Sequence, residues 1–306
     1  MELNTYYWIG FFIFVFFMLA MDLWVFNKKA HEITVKEALI WSAVWISLAM
    51  VFNVIVYLGM GSEKALQFLA GYIIEKSLSV DNLFVFIMVF SYFNVKKIYQ
   101  HKVLFWWILW AIVMRGIFIY AGIKMIENFN WIIYVFWVFL IITSIKMIFE
   151  SKEEVALEEK MVVKLLKKII PISKHTHDGN FFTVENGKKM ATPLFVALIM
   201  IEFTDLIFAV DSIPAILAIS NNMFIVYTSN IFAILGMRSL YFALSGMMWS
   251  FVYLKYGLAW VLSFVGFKML ISGYYHFPIV LSLGIIITLL WLSVLASYIF
   301  PPKKTP

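Results

Sequence analysis

The chain has 306 residues, 63% of them hydrophobic and only 14% charged, with a mean hydropathy of +0.91. No soluble domain of that size hides so much apolar surface, so hydrocarbon has to act as solvent for much of it. There is no cysteine, which excludes disulfides, thiolate metal sites and thiol chemistry, and the net charge of +6 reads as topology, with no need for nucleic acid as a partner.

Met1 to Tyr7 holds Glu2 and no Lys or Arg. It lacks the basic n-region of a secretory signal, so the first hydrophobic run reads as a permanent helix. Runs long enough to cross about 30 Å of hydrocarbon fall at 6–26, 38–60, 65–93, 101–125, 131–149, 192–219, 224–253, 257–273 and 277–300. The expected fold is therefore all-α and polytopic: about nine transmembrane helices in one domain over residues 1–306. Two helices fill 1–64, a triplet 65–149, a polar loop 150–190, a second triplet 191–273, and a last helix with its tail 274–306.

The loop divides in two. Glu153 to Ile170 has the pattern of an amphipathic helix, with Val155, Val162, Leu165, Leu166 and Ile169 as its apolar set. Its lysines suit an anionic membrane surface, with partner binding the lesser reading. Lys174 to Lys189 contains Gly179 and Gly187 and reads as a small hairpin or loop. His175, His177 and Asp178 within it are a weak candidate for a metal sensor, because two His in a hairpin are more often solvated.

The positive charges orient the chain. If odd-numbered runs end on one side, that side collects 17 of the 24 Lys and Arg and the other only Lys64 and Lys124. Five more, Lys76, Arg115, Lys146, Arg238 and Lys268, lie within helices. Positive residues mark the cytoplasmic face, so the N-terminus is expected outside and the C-terminus inside, in a bacterial inner membrane.

Two segments echo each other: GYIIEKSLSVDNLFVF (71–86) and IEFTDLIFAVDSIPAI (201–216). Aligning Asp81 with Asp211 sets Glu75 on Asp205 and Asn82 on Ser212. Downstream, AIVMR ending at Arg115 matches AILGMR ending at Arg238 with one extra residue, and IKM around Lys146 matches FKM around Lys268. Each copy holds three runs, the third to fifth and the sixth to eighth. An odd number turns the second copy over, giving an inverted repeat, the plan of many secondary transporters, whose site lies at the midplane between the copies.

The acids fall in those copies. Glu75 and Asp81 lie in the third run, Glu202, Asp205 and Asp211 in the sixth, and Asp22 near the inner end of the first. Intramembrane carboxylates are expensive and are functional candidates by default. Arg115 and Arg238 can balance two of them, which leaves negative charge for a cation or protons. At 100° per residue, Glu202, Asp205 and Ser212 fall within about 80° on one helix face, while Asp211 lies about 120° from Asp205. Pro214 removes the bond to the Val210 carbonyl and frees an oxygen beside Asp211. Carboxylates with Asn82, Ser212 and carbonyls make an all-oxygen set, which suits Mn²⁺, Mg²⁺ or Ca²⁺. Without His or Cys in the cluster, a site tuned for Zn²⁺ or Cu⁺ is disfavoured. The simpler alternative is a purely structural polar network. No HExxH, Walker A, GxGxxG or GxSxG pattern is present, so an ATP-driven pump or an intramembrane hydrolase has no support, and the chain is not expected to be an enzyme or to hold a resident cofactor.

The runs ATPLFVALIMIEFTDLIFAVDSIPAILAIS (191–220), EKSLSVDNLFVF (75–86), MDLWVFNKKAHEITVKEALIWSAVWI (21–46) and PISKHTHDGNFFTVENGKKMATPLF (171–195) closely resemble the TerC family of bacterial membrane proteins over almost the whole chain. That family is named from tellurium resistance and is grouped with exporters of the LysE type. The resemblance implies manganese export, with Asp22, Glu75, Asp81, Asn82, Glu202, Asp205 and Asp211 at the family's polar motif positions. The expected partners are a divalent metal ion and membrane lipid. Rival readings are a membrane assembly partner for nascent or secreted proteins, and a stress-resistance factor with indirect tellurite or pH effects.

Overall fold

The computed structural model describes residues 5–26, 33–129, 131–149, 164, 170–173, 179–185, 187–245, 253–271 and 278–299. These residues form ten helices and one hairpin. The helices are α1 (Thr5–Phe26), α2 (Val35–Met60), α3 (Ser62–Tyr92), α4 (Lys97–Asn128) and α5 (Ile132–Phe149), then α6 (Pro193–Leu217), α7 (Met223–Leu235), α8 (Met237–Ser245), α9 (Leu254–Ile271) and α10 (Ile279–Ile299). Strands β1 (Phe182–Glu185) and β2 (Lys188–Ala191) pair antiparallel, with Glu185 opposite Lys188.

Local chemistry sets the helix ends. Thr34 caps α2 by accepting from the Glu37 amide at 3.3 Å, and Asn222 caps α7 by accepting from the Ile225 amide at 3.2 Å. Thr192 caps α6, with Pro193 in the first turn, where its missing N–H costs nothing. Gly61 separates α2 from α3 with φ 88°, a left-handed conformation that glycine alone adopts freely.

Five stretches are long and apolar enough to cross a membrane by length and composition among the described residues: Val35–Met60, Lys97–Asn128, Pro193–Leu217, Met223–Ser245 and Val280–Ile299. Large apolar side chains such as Phe16, Phe17, Leu58, Ile117, Trp131, Trp291 and Tyr298 point outward, as hydrocarbon-facing residues do. The molecule is an all-α, multi-pass integral membrane protein.

α7 lies at its centre, with every side chain from Phe224 to Leu235 buried. α3 packs on α7 and α4 packs on α6, while α5 lies along α9. α2 covers α3 and α8, and α1 reaches α7 through rings, Phe11 and Trp8 against Phe224 at 6.2 and 5.2 Å.

The expectations differ from this structure in three places. The seventh run, read as one helix over 224–253, divides at Gly236 into α7 and α8. That glycine is the extra residue of AILGMR, so the inserted position coincides with the interruption. α6 continues through Pro214 to Leu217 without a break; the loss of one bond there is absorbed within the helix. The hairpin expected in 174–189 forms over 182–191, whereas the amphipathic segment of 153–170 and His175, His177 and Asp178 lie outside the described residues, Lys164 and Ile170 excepted.

The hairpin is fastened to the helices that follow and precede it. Lys102 of α4 donates to the Gly179 carbonyl at 2.8 Å and stands 4.9 Å from the Phe181 ring. Phe182 meets Phe195 of α6 at 4.6 Å between ring centroids.

Candidate functional site

Helical spacing gathers the polar residues. On α3, Glu75, Ser79 and Asn82 are four and seven positions apart, which puts them on one face within about 60°. On α6, Asp205 and Ser212 share a face for the same reason. These two faces meet Arg115 of α4 and Asn230 of α7 in the interior, and all seven side chains are buried.

Arg115 is the hub. Its Nη1 donates to Glu75 Oε1 at 2.5 Å, to Ser212 Oγ at 3.0 Å and to Asn230 Oδ1 at 3.4 Å. Its Nη2 donates to Asp205 Oδ1 at 3.5 Å. One guanidinium therefore stands between carboxylates from the two echoing segments, a task for which its planar fork of donors is suited. Arg115 Nε is buried with no hydrogen-bond partner.

Each carboxylate has neutral donors as well. Glu75 Oε1 accepts from Ser79 Oγ at 3.1 Å, and Oε2 accepts from Asn230 Nδ2 at 3.0 Å. Asp205 Oδ1 accepts from Asn82 Nδ2 at 3.3 Å. Such bonds lower the cost of charge in a dry interior. Beside Glu75, Lys76 turns away and its Nζ donates to the Ala233 carbonyl of α7 at 3.1 Å.

Of the residues singled out in the sequence, the structure joins Glu75, Asn82, Asp205, Ser212 and Arg115 directly. Glu202 lies one turn before Asp205 and is half-buried. Arg238 is buried on α8. Asp22, Asp81 and Asp211 lie on α1, α3 and α6, and their side chains fall outside the described residues. Among the described residues, no group of three or more His, Cys, Asp or Glu is arranged to hold a metal ion. What is assembled is a pair of carboxylates that share one arginine.

Sequence reasoning did not assign Asn230, Ser79 or Lys76 to the site. Asn230 had a signal: it is the one amide in the apolar run FIVYTSNIFAIL, and a polar group at membrane depth needs a reason. Ser79 has no such signal, since a helix serine often bonds only to its own backbone.

Comparison with known proteins bears on the same residues. The profile of the integral membrane protein TerC family matches residues 60–305, a range that includes every residue of the network. An uncharacterized membrane protein of Myxococcus xanthus is 51% identical over 292 residues, 95% of this chain and 92% of that protein. Proteins named "Putative membrane-bound redox modulator Alx" are similar at 45% identity. The one from Salmonella typhi aligns over 95% of this chain and 93% of its own length, and the one from Escherichia coli K12 over 92% and 91%. No solved structure matches the chain significantly.

Proposed function

Because the chain belongs to the TerC family of integral membrane proteins, we propose that it is a transporter that exports a divalent metal cation, Mn²⁺ foremost, in exchange for protons. The observation that carries this reading is the convergence of Glu75 and Asp205 on Arg115 inside the bundle. Buried carboxylates held by a tethered cation form a site that a free cation can enter by taking the arginine's place. Ser212, Asn82 and Asn230 add neutral oxygen donors, and hard divalent ions prefer such a set. Asp81, Asp211, Glu202 and Asp22 supply the further charge that a doubly positive ion needs, with Arg238 balancing the second copy.

In this reading the echoing segments are an inverted repeat. Exchanging α3 with α6, α4 with the α7–α8 pair and α5 with α9 maps the neighbours α3–α7, α4–α6 and α5–α9 onto the same set, which supports it. Counting α7 and α8 as one interrupted crossing makes nine crossings. The lysine asymmetry then sets the N-terminus outside and the hairpin and C-terminus in the cytoplasm, across the inner membrane. Nothing in this arrangement calls for bond-making chemistry, and we treat the protein as a carrier, not an enzyme.

The name of the Alx relatives raises redox modulation as a second reading. Without cysteine in these 306 residues, the chain has no thiol couple of its own. Control of the level of a redox-active metal ion is a route by which a carrier alters redox state, so the two readings are compatible.

The test is Mn²⁺ uptake into proteoliposomes under an imposed pH gradient. Gradient-driven uptake that is absent from protein-free vesicles is expected. No flux of any divalent ion under any gradient would turn the choice to an assembly partner acting through the cytoplasmic hairpin.

A further inference from the structure

α7 is gripped at two points about one turn apart. Asn230 Nδ2 donates to Glu75 Oε2 at 3.0 Å, and the Ala233 carbonyl accepts from Lys76 Nζ at 3.1 Å. The two residues on α3 are consecutive and those on α7 are three apart, so each helix meets the other at two successive contacts. Ala233 lies in the last turn of α7, where carbonyls run out of intrahelical donors and where a cation is favoured by the helix dipole.

The surroundings leave room for this grip. A Cβ at Gly236 would stand 2.8 Å from Lys76 Nζ and 3.0 Å from Trp45 Cβ, so a side chain there would collide with the amine. At Gly71, one turn before Glu75, a Cβ would stand 3.4 Å from Ser229 Cβ. α3 and α7 are thus in close backbone approach.

Sliding would matter. A slip of one turn, about 5.4 Å, would bring Val226 or Ile234 opposite Glu75 in place of Asn230. Glu75 would then lose its amide donor and face an apolar side chain. An amine at membrane depth is costly, and capping one carbonyl is a small return for it. Fixing the register at the acid site is a larger one.

We infer that Lys76 is a positioning residue that locks the register of α7 along α3, holds Asn230 on Glu75, and so sets the affinity of the acid site for its cation. The functional half of this inference rests on the export reading; the register half stands without it.

Two measurements separate the halves. The chain has no native cysteine, so Gly71→Cys with Ser229→Cys gives a clean pair, close to the Cβ separation of about 3.5–4.5 Å that disulfides adopt. In membranes under mild oxidation this pair is expected to cross-link readily. A second pair, Gly71→Cys with Ile225→Cys, meets only after a slip of one turn, and adding Lys76→Met is expected to speed its cross-linking about tenfold, the factor that one charge-assisted hydrogen bond is worth. Lys76→Arg should restore the rate, and Gly236→Ala should imitate the methionine. Equal cross-linking of the second pair with lysine and methionine would overturn the register lock. In proteoliposomes, Lys76→Met is expected to raise the Mn²⁺ concentration for half-maximal uptake several-fold while the maximal rate changes little. A lower maximal rate at unchanged half-saturation would overturn the link to affinity. If the parent protein carries no divalent ion, the export reading fails and the cross-linking result still decides the register.

Discussion

Arg115 Nη1 stands 2.5 Å from Glu75 Oε1, and each side chain is only 1% exposed. In hydrocarbon surroundings neither charge finds water, so each depends on the other. Removing one partner of a buried pair generally costs about 3–5 kcal/mol, more than the pair itself contributes, because a lone charge stays behind. Arg115→Met is therefore expected to lower unfolding stability in detergent by about that amount. The double variant Arg115→Met, Glu75→Gln should recover only the part of the loss that belongs to Glu75, because Asp205 still lacks its cation. Thermal unfolding of the parent, both single variants and the double variant closes the cycle, and additive losses would mean that the pair is not coupled.

Asn230 tests the neutral part of the network. Asn230→Leu keeps the bulk but leaves Glu75 Oε2 without its amide donor. A loss of about 1–3 kcal/mol is expected, smaller than for Arg115→Met, and Asn230→Gln should not restore it if position matters as much as chemistry. The same unfolding assay reads this directly.

Asp81 and Asp211 hold matching positions in the two echoing segments. Asp81→Asn and Asp211→Asn are each expected to cut Mn²⁺ transport strongly while leaving insertion and folding intact, since affinity for a hard divalent ion depends on the number of charged oxygen ligands. Everted membrane vesicles provide the measurement. Parental flux from either variant would remove that acid from the ligand set.

If the chain exports a metal in exchange for protons, the two compete for the same carboxylate oxygens, since ligands must be deprotonated to bind. As pH falls, proton occupancy rises, so metal affinity is expected to fall; as pH rises, affinity should rise to a plateau. Competition experiments at fixed pH should rank Mn²⁺ as well carried, with Zn²⁺ binding by its general affinity rank without being well transported. Metal binding that is flat from acid to alkaline pH would rule out exchange through these groups.

The proposed orientation rests on the asymmetry of positive charge. Reporters placed after Lys29, in the hairpin and at the C-terminus are expected to read cytoplasmic, and one near Asn221 external. An external signal from the hairpin would defeat both the orientation and the inverted repeat.

Much of this fold was legible because the bilayer imposes a length on every crossing. The first six runs and the last two match helices to within a few residues, and the facing of Glu75 with Asn82, or of Asp205 with Ser212, follows from turn geometry. The break at Gly236 was present in the sequence as a one-residue mismatch between AIVMR and AILGMR, yet hydropathy runs through it without a dip. The choice of Arg115 as the shared partner of Glu75 and Asp205 was hidden for a different reason: it depends on how α3, α4, α6 and α7 are arranged around one another, and periodicity within one helix carries no such information. Lys76 was invisible as a contact because its acceptor is a backbone carbonyl, which every residue possesses.

The burial of α7 from Phe224 to Leu235 also decides how the site relates to its membrane. With 13 residues, α7 alone is about 20 Å long, short of a bilayer core of about 30 Å unless α8 continues the crossing, and its end at Gly236 leaves backbone groups that hydrocarbon cannot satisfy. Neither shortfall meets lipid, because α1, α2, α3 and α4 surround it. Thickening or thinning of the bilayer is felt by the outer helices, which can tilt in response. The short central helix and the charges it touches are shielded from that mismatch, so the chemistry of the site is set by protein neighbours and stays much the same across membranes of different thickness.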